Sequence, residues 1–349
     1  MPDFGAFLSV LISNPLLMIT LALTLGATVV NGATDAPNAI ATVVGTRSMP
    51  AGAAIIMAAI CNFLGLIIIT SVSAAVAKTI FGMVNFGGNN EAALLALAAA
   101  MIAIIVWGVI AWAFGIPTSQ SHSLIAGLTG AAIALQNGLG GVNGAEWVKV
   151  IYGLGVSTVL GFGCGYVFTK LVEKIAGGID RRKSLHVWRW AQRFAGAGAA
   201  IMHGAQDGQK FLSISLLGIM LCLGMGSDTS DMSFPFWLIV ICALTMGLGT
   251  AIGGRKIIKS VGLDMVKMEP YQGFCACLSS VFCLVLATFT GMPVSTTHTN
   301  TTSIMGVGAA RRLRNVRWNL AGTMVLTWIL TFPGCGLIGY VLAKIFLLF

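Results

Sequence analysis

Long apolar runs alternate with short polar breaks along nearly the whole chain. Runs at 8–30, 51–77, 92–114, 116–136 and 146–174 precede a basic stretch, and runs at 194–225, 235–252, 272–290, 292–310 and 319–347 follow it. Most have the length a helix needs to cross a hydrocarbon core of about 30 Å. They are continuously apolar rather than alternating, which predicts helices and not barrel strands. Several are long or interrupted by Gly and Pro, so ten spans is a minimum. The pattern predicts an all-α polytopic membrane protein of about 10–12 transmembrane helices, some broken or paired as hairpins. The first residues lack the basic segment of a cleaved signal and are expected to form the first span.

Composition agrees with this class: of 349 residues, 57% are hydrophobic and 9% charged. The formal charge of +9 would suggest nucleic acid in a water-soluble chain, but its distribution follows the spans. Arg47, Lys170, Lys174, Arg181, Arg182, Lys183, Arg189, Arg193, Arg255, Lys256, Lys259, Lys267, Arg311, Arg312, Arg314 and Arg317 all fall in or beside loops on one side of a ten-span topology. The positive-inside rule makes that side cytoplasmic and leaves both termini outside a plasma or inner membrane. No nucleic-acid partner is then expected. The eight cysteines lie scattered in apolar segments without metal-ligand spacing, so no cofactor is predicted.

Residues 176–193 form the one substantial polar linker, expected to be cytoplasmic, between a transmembrane repeat at 1–175 and a second at 194–349. "NGATDAPNA" (31–39) matches "HGAQDGQKF" (203–211), pairing Gly32 with Gly204 and Asp35 with Asp207. "GIPTSQSH" (115–122) matches "GMPVSTTH" (291–298) in the same order and at nearly the same offset. Two ordered matches indicate duplicated halves. Five spans per half is an odd number, so the second half is expected to be inverted relative to the first, with a binding site near the midplane where the halves meet and alternating access by their rocking.

Asp35 and Asp207 lie beside or within a span, and among the acidic residues they are the two that the repeat makes equivalent. Charge at that depth requires a partner. Lys210, three residues after Asp207, offers a structural ion pair. The other reading is cation coordination or proton transfer: the Gly before each Asp allows an unwound backbone whose carbonyls, with the carboxylates and the amides of Asn38 and Gln209, suit a hard cation such as Na+. The second motif pair supplies Thr118, Ser119, Gln120 and Ser121 from one half and Ser295, Thr296 and Thr297 from the other, each after a Pro that marks a helix start. Hydroxyls and free N–H groups at such a start make an anion cradle. Ser and Thr that merely mediate helix packing are the plainer alternative. His122 and His298 are expected to hold their loops by hydrogen bonds.

With "GATDAPNA", "HGAQDGQK", "GIPTSQSHSLIAG" and "GMPVSTTH", the sequence resembles the PiT family of inorganic phosphate transporters over nearly the whole chain. The resemblance implies import of phosphate with Na+ or H+, Asp35 and Asp207 in the cation or proton role with Asn38, and the Ser/Thr clusters, Gln120 and Gln209 around the anion. Thr34 and Gln206 stand where the family signature usually has Asn, which bears on the cation count. A sulfate or other oxyanion symporter of the same fold is the runner-up. Sulfate near neutral pH has no proton to donate to a carboxylate, which favours phosphate. An anion channel would show flux insensitive to both gradients. An intramembrane aspartate protease would leave the hydroxyl clusters without a role, so no enzyme is expected. Membrane lipids are expected partners, and a homo-oligomer is compatible with everything above.

Overall fold

In the computed structural model, residues 3–87, 89–114, 118–224, 233–253, 258, 261, 262 and 265–348 are described. Gly115, Ile116 and Pro117 of the first hairpin motif lie outside them, as do Arg255, Lys256, Lys259 and Asp264. The described helices are α1 (Phe4–Ser13), α2 (Pro15–Thr34), α3 (Ala36–Gly45), α4 (Ala51–Val72), α5 (Ala75–Phe81), α6 (Asn90–Phe114), α7 (Gln120–Gln136), α8 (Gly144–Ala176), α9 (Arg181–Cys222), α10 (Phe236–Ile252), α11 (Pro270–Phe289), α12 (Thr296–Arg311) and α13 (Trp318–Phe346).

Local chemistry sets the ends of these helices. Asn14 accepts from the N–H of Leu17 at the start of α2, where Pro15 supplies a preset φ. Asp180 accepts from the N–H groups of Arg182 and Lys183. That cap starts α9 at Arg181, so much of the expected linker is helical. Pro37 separates α3 from α2: it has no N–H to give the preceding turn and its ring crowds that turn's carbonyl. The chain breaks at Asp35. At the repeat-equivalent position α9 carries Gln209 instead and runs unbroken through Asp207.

Six helical segments among the described residues are long and apolar enough to cross a membrane: Pro15–Gly45, α4, α6, α8, α11 and α13. They coincide with six of the ten expected runs. The other four correspond to α7, α9, α10 and α12. At 16 and 17 residues, α12 and α7 reach about 25 Å, short of a full crossing. α10 is apolar but also has 17 residues, whereas α9 is long enough and polar. The outward sides of α4, α8 and α13 expose Ile56, Ile60, Val159, Val167, Ile329 and Leu337, the apolar faces that lipid covers.

α9 is the central helix, packed against α2, α3, α4, α5, α10 and α11. Partners are exchanged between the two parts of the chain. α4 packs on α9 as α10 packs on α2, and α12 packs on α8 as α7 packs on α13. Glycines permit these crossings. A Cβ on Gly32 would stand 2.5 Å from the carbonyl oxygen of Met246 in α10, and one on Gly204 would collide with the backbone of Asn62 in α4. The matched glycines therefore serve close helix approach rather than unwinding, and α9 stays helical around Gly204.

Candidate functional site

Two helix starts meet inside the protein. Ser119 caps α7 by accepting from the backbone N–H of His122 (3.3 Å), and Ser295 caps α12 in the same way from His298 (3.1 Å). It is the main chain of each histidine that closes the cap. The two imidazole rings meet edge to face, with centroids 4.4 Å apart; His122 stacks on Phe332 and His298 lies tilted against Trp328, both of α13. Thr118, Ser119, Gln120, Ser121, Ser295, Thr296 and Thr297 are all buried at these starts.

Both carboxylates lie against this pair of helix ends. Asp35, 1% exposed, accepts from the N–H of Gln120 (3.2 Å) and the hydroxyl of Thr297 (3.1 Å). Asp207, fully buried, accepts from the hydroxyls of Thr296 (3.1 Å) and Ser121 (3.3 Å). Each aspartate thus bonds to both helix starts, and the pattern repeats across the matched motifs. The residue three places further on in each motif continues it. Asn38 Nδ2 donates to Thr297 Oγ1 (3.0 Å), and its equivalent Lys210 donates from Nζ to Ser121 Oγ (2.6 Å).

The equivalence ends at charge. Lys210 Nζ also lies 2.7 Å from Asp207 Oδ1 and 2.6 Å from the carbonyl oxygen of Val294, with its side chain buried. His203 Nε2 approaches the other oxygen of Asp207 at 3.3 Å, and Asn31 Nδ2 donates to that oxygen at 3.2 Å. Asp207 therefore carries its own fixed cation. Among the described residues no cationic side chain forms an ion pair with Asp35. Four amide oxygens are also buried without a hydrogen-bond donor: Asn31 Oδ1, Asn38 Oδ1, Gln120 Oε1 and Gln206 Oε1. For Asn31, Asn38 and Gln206 the orientation follows from the partners, since each of these amide nitrogens faces an acceptor: Asp207 Oδ2, Thr297 Oγ1 and the carbonyl of Met292. A carboxylate and unpaired amide oxygens are the donors a hard cation takes.

Gln209, expected beside the anion, is directed elsewhere. Its Nε2 donates to the carbonyl of Ser73 (2.7 Å) and its Oε1 accepts from the N–H of Ala77 (3.3 Å), fastening α5 to α9. Conversely, Asn31, His203 and Lys210 stand at the site although sequence reasoning gave none of them a binding role. Helical spacing was the signal available: Asn31 lies four residues before Asp35, and His203 and Lys210 lie one turn to either side of Asp207.

Fold and site together define a polytopic membrane protein enclosing carboxylates and an uncharged hydroxyl cradle. The chain belongs to the phosphate transporter family, whose model matches residues 31–339. It is 36% identical over 304 residues to a probable low-affinity inorganic phosphate transporter of Bacillus subtilis (strain 168), covering 87% of this chain and 89% of that one. A probable low-affinity inorganic phosphate transporter of Rhizobium meliloti (strain 1021) is 35% identical, covering 93% and 94%. A solved structure described as the sodium-dependent phosphate transporter superposes with a TM-score of 0.85 at 21% identity, over 96% of this chain and all of that one, so the fold is shared. The family consists of transporters, not enzymes.

Proposed function

We propose that this protein imports inorganic phosphate across the cell membrane by symport with Na+ or H+. Its two parts, 1–175 and 194–349, act as inverted repeats that rock about the site between them. The names of the relatives from Bacillus subtilis and Rhizobium meliloti support phosphate as cargo. The observation that carries the mechanism is the cross-bonding of Asp35 and Asp207 to both helix starts. In this reading the hydroxyls of Ser121, Thr296 and Thr297 and the N–H groups at the starts of α7 and α12 turn from the carboxylates to the phosphate oxygens when phosphate enters. Phosphate near neutral pH keeps a proton with which to approach a carboxylate.

The coupling ion sits at Asp35 and Asn38, on the side that lacks a fixed ammonium. The unpaired oxygen of Asn38, which shares Thr297 Oγ1 with Asp35, supports Na+, because a proton on Asp35 would leave it without a partner. The basic loops support an orientation with both termini outside.

The test is uptake of labelled phosphate into proteoliposomes of the full chain under an imposed Na+ gradient or an imposed proton gradient, with Asp35→Asn alongside. Uptake driven by Na+ and lost in the variant is expected. Uptake driven by protons alone would replace the ion. No phosphate uptake under either gradient, by protein that elutes as a folded species, would overturn the assignment and make sulfate the next probe in the same vesicles.

A further inference from the structure

A second polar cavity lies at the far end of α12. The helix ends at Arg311, the chain turns through Leu313–Asn315, and α13 begins after Arg317. The N–H of Arg317 donates to the carbonyl of Met265 (3.3 Å), which draws in the segment carrying Lys267 ahead of α11. Together they enclose a cavity of about 550 Å³ lined by Lys267, Arg311, Arg312, Arg314, Asn315 and Arg317. Among the described residues no carboxylate lines it, and Glu269, 3.6 Å from Arg311, is the one acid paired with any of the five cations.

Basic residues that only orient a membrane protein need to lie in the right loop and nothing more. Here two separate segments bring five cations around one concavity. These cations are exposed, so solvent screens their mutual repulsion, and a multivalent anion held among them would relieve what remains. Guanidinium groups present paired N–H donors that match phosphate oxygens bidentately, and the volume falls in the range of small-molecule sites. We propose that this cavity binds a ligand bearing more than one negative charge through phosphate groups, either a soluble polyphosphate or the headgroup of an anionic phospholipid. The site is separate from the cradle at the other end of α12. It stands whether or not the transport reading does.

The full chain, purified in neutral detergent with inorganic phosphate at a constant saturating level, is titrated with tripolyphosphate by calorimetry. In parallel, phosphatidylglycerol retained from mixed micelles is counted by native mass spectrometry. Arg312→Gln/Arg314→Gln is compared with wild type and with Arg47→Gln, a basic residue that does not line the cavity. For at least one probe, one equivalent bound per chain and a weakening of roughly tenfold or more in the double variant alone are expected, as loss of two charge-assisted contacts implies. Loss of tripolyphosphate binding alone identifies a soluble ligand; loss of lipid retention alone identifies a headgroup; loss of both supports the shared chemistry. Unchanged or absent binding of both probes, or an equal loss in Arg47→Gln, overturns the proposal.

Discussion

Asp35 and Asp207 occupy equivalent places in the two motifs, yet they are held in place by different means. Asp207 belongs to a buried ion pair, so removing its charge strands the Lys210 ammonium where water cannot reach it. Breaking such a pair costs about 3–5 kcal/mol. Asp35 accepts from a backbone N–H and a hydroxyl on one carboxylate oxygen, and an asparagine can keep both bonds through its carbonyl oxygen. Thermal unfolding in detergent should therefore show Asp207→Asn strongly destabilised and Asp35→Asn close to wild type, although both lose driven uptake. Asp207→Leu/Lys210→Met should recover much of the lost stability without recovering transport, because removing both partners leaves no unpaired charge. Equal melting temperatures for the two single Asn variants would contradict the assignment of the fixed cation to Asp207 alone.

At the scale of the element, the caps of α7 and α12 matter more than helix propensity. These helices start inside the protein, where an unsatisfied N–H cannot turn to water. Ser119→Ala or Ser295→Ala removes the acceptor for the N–H of His122 or His298, at a cost of about 1 kcal/mol. Each is expected to weaken phosphate binding, measured by equilibrium dialysis, with Ser→Thr retaining more than Ser→Ala. The crossings behind these helices are close as well. A Cβ on Gly130 would meet the backbone of Gly336, and one on Gly306 the backbone of Phe162, so the α7–α13 and α12–α8 contacts are built alike. Gly306→Ala should force α12 from α8 and lower stability by about 1–3 kcal/mol, read as a lower midpoint in a thermal melt. An unchanged midpoint would mean that α12 shifts without cost.

For the whole molecule, the exchange of partners means that the cradle forms only when the two parts of the chain are together. Ligands that bind this assembled state stabilise it by mass action, by about 2.7 kcal/mol at a hundredfold excess over the dissociation constant. Phosphate and Na+ together should raise the melting temperature more than the sum of their separate shifts in wild type. In Asp35→Asn the Na+ dependence of the phosphate shift should vanish. A phosphate shift indifferent to Na+ in the wild-type protein would separate cargo binding from this cation.

The sequence by itself determined the helical membrane class, the two matched motifs, and the aspartates and hydroxyls that the fold gathers into the candidate site. Those features are written in local signals: continuous apolar runs, a proline before capping hydroxyls, and carboxylates where lipid would otherwise exclude charge. Tertiary structure alone decided how they are joined. It set Lys210 on Asp207 and kept ammonium from Asp35, sent Gln209 to the backbone of Ser73 and Ala77, and used Gly32 and Gly204 to bring helices together rather than to unwind them. It also made α7, α10 and α12 shorter than full spans. Apart from the Asp207–Lys210 pair, which lies one helical turn apart, none of this is legible in spacing, because a side chain's partner across more than a hundred residues depends on which helix faces cross. In this protein the packing of α9 at the centre makes that choice.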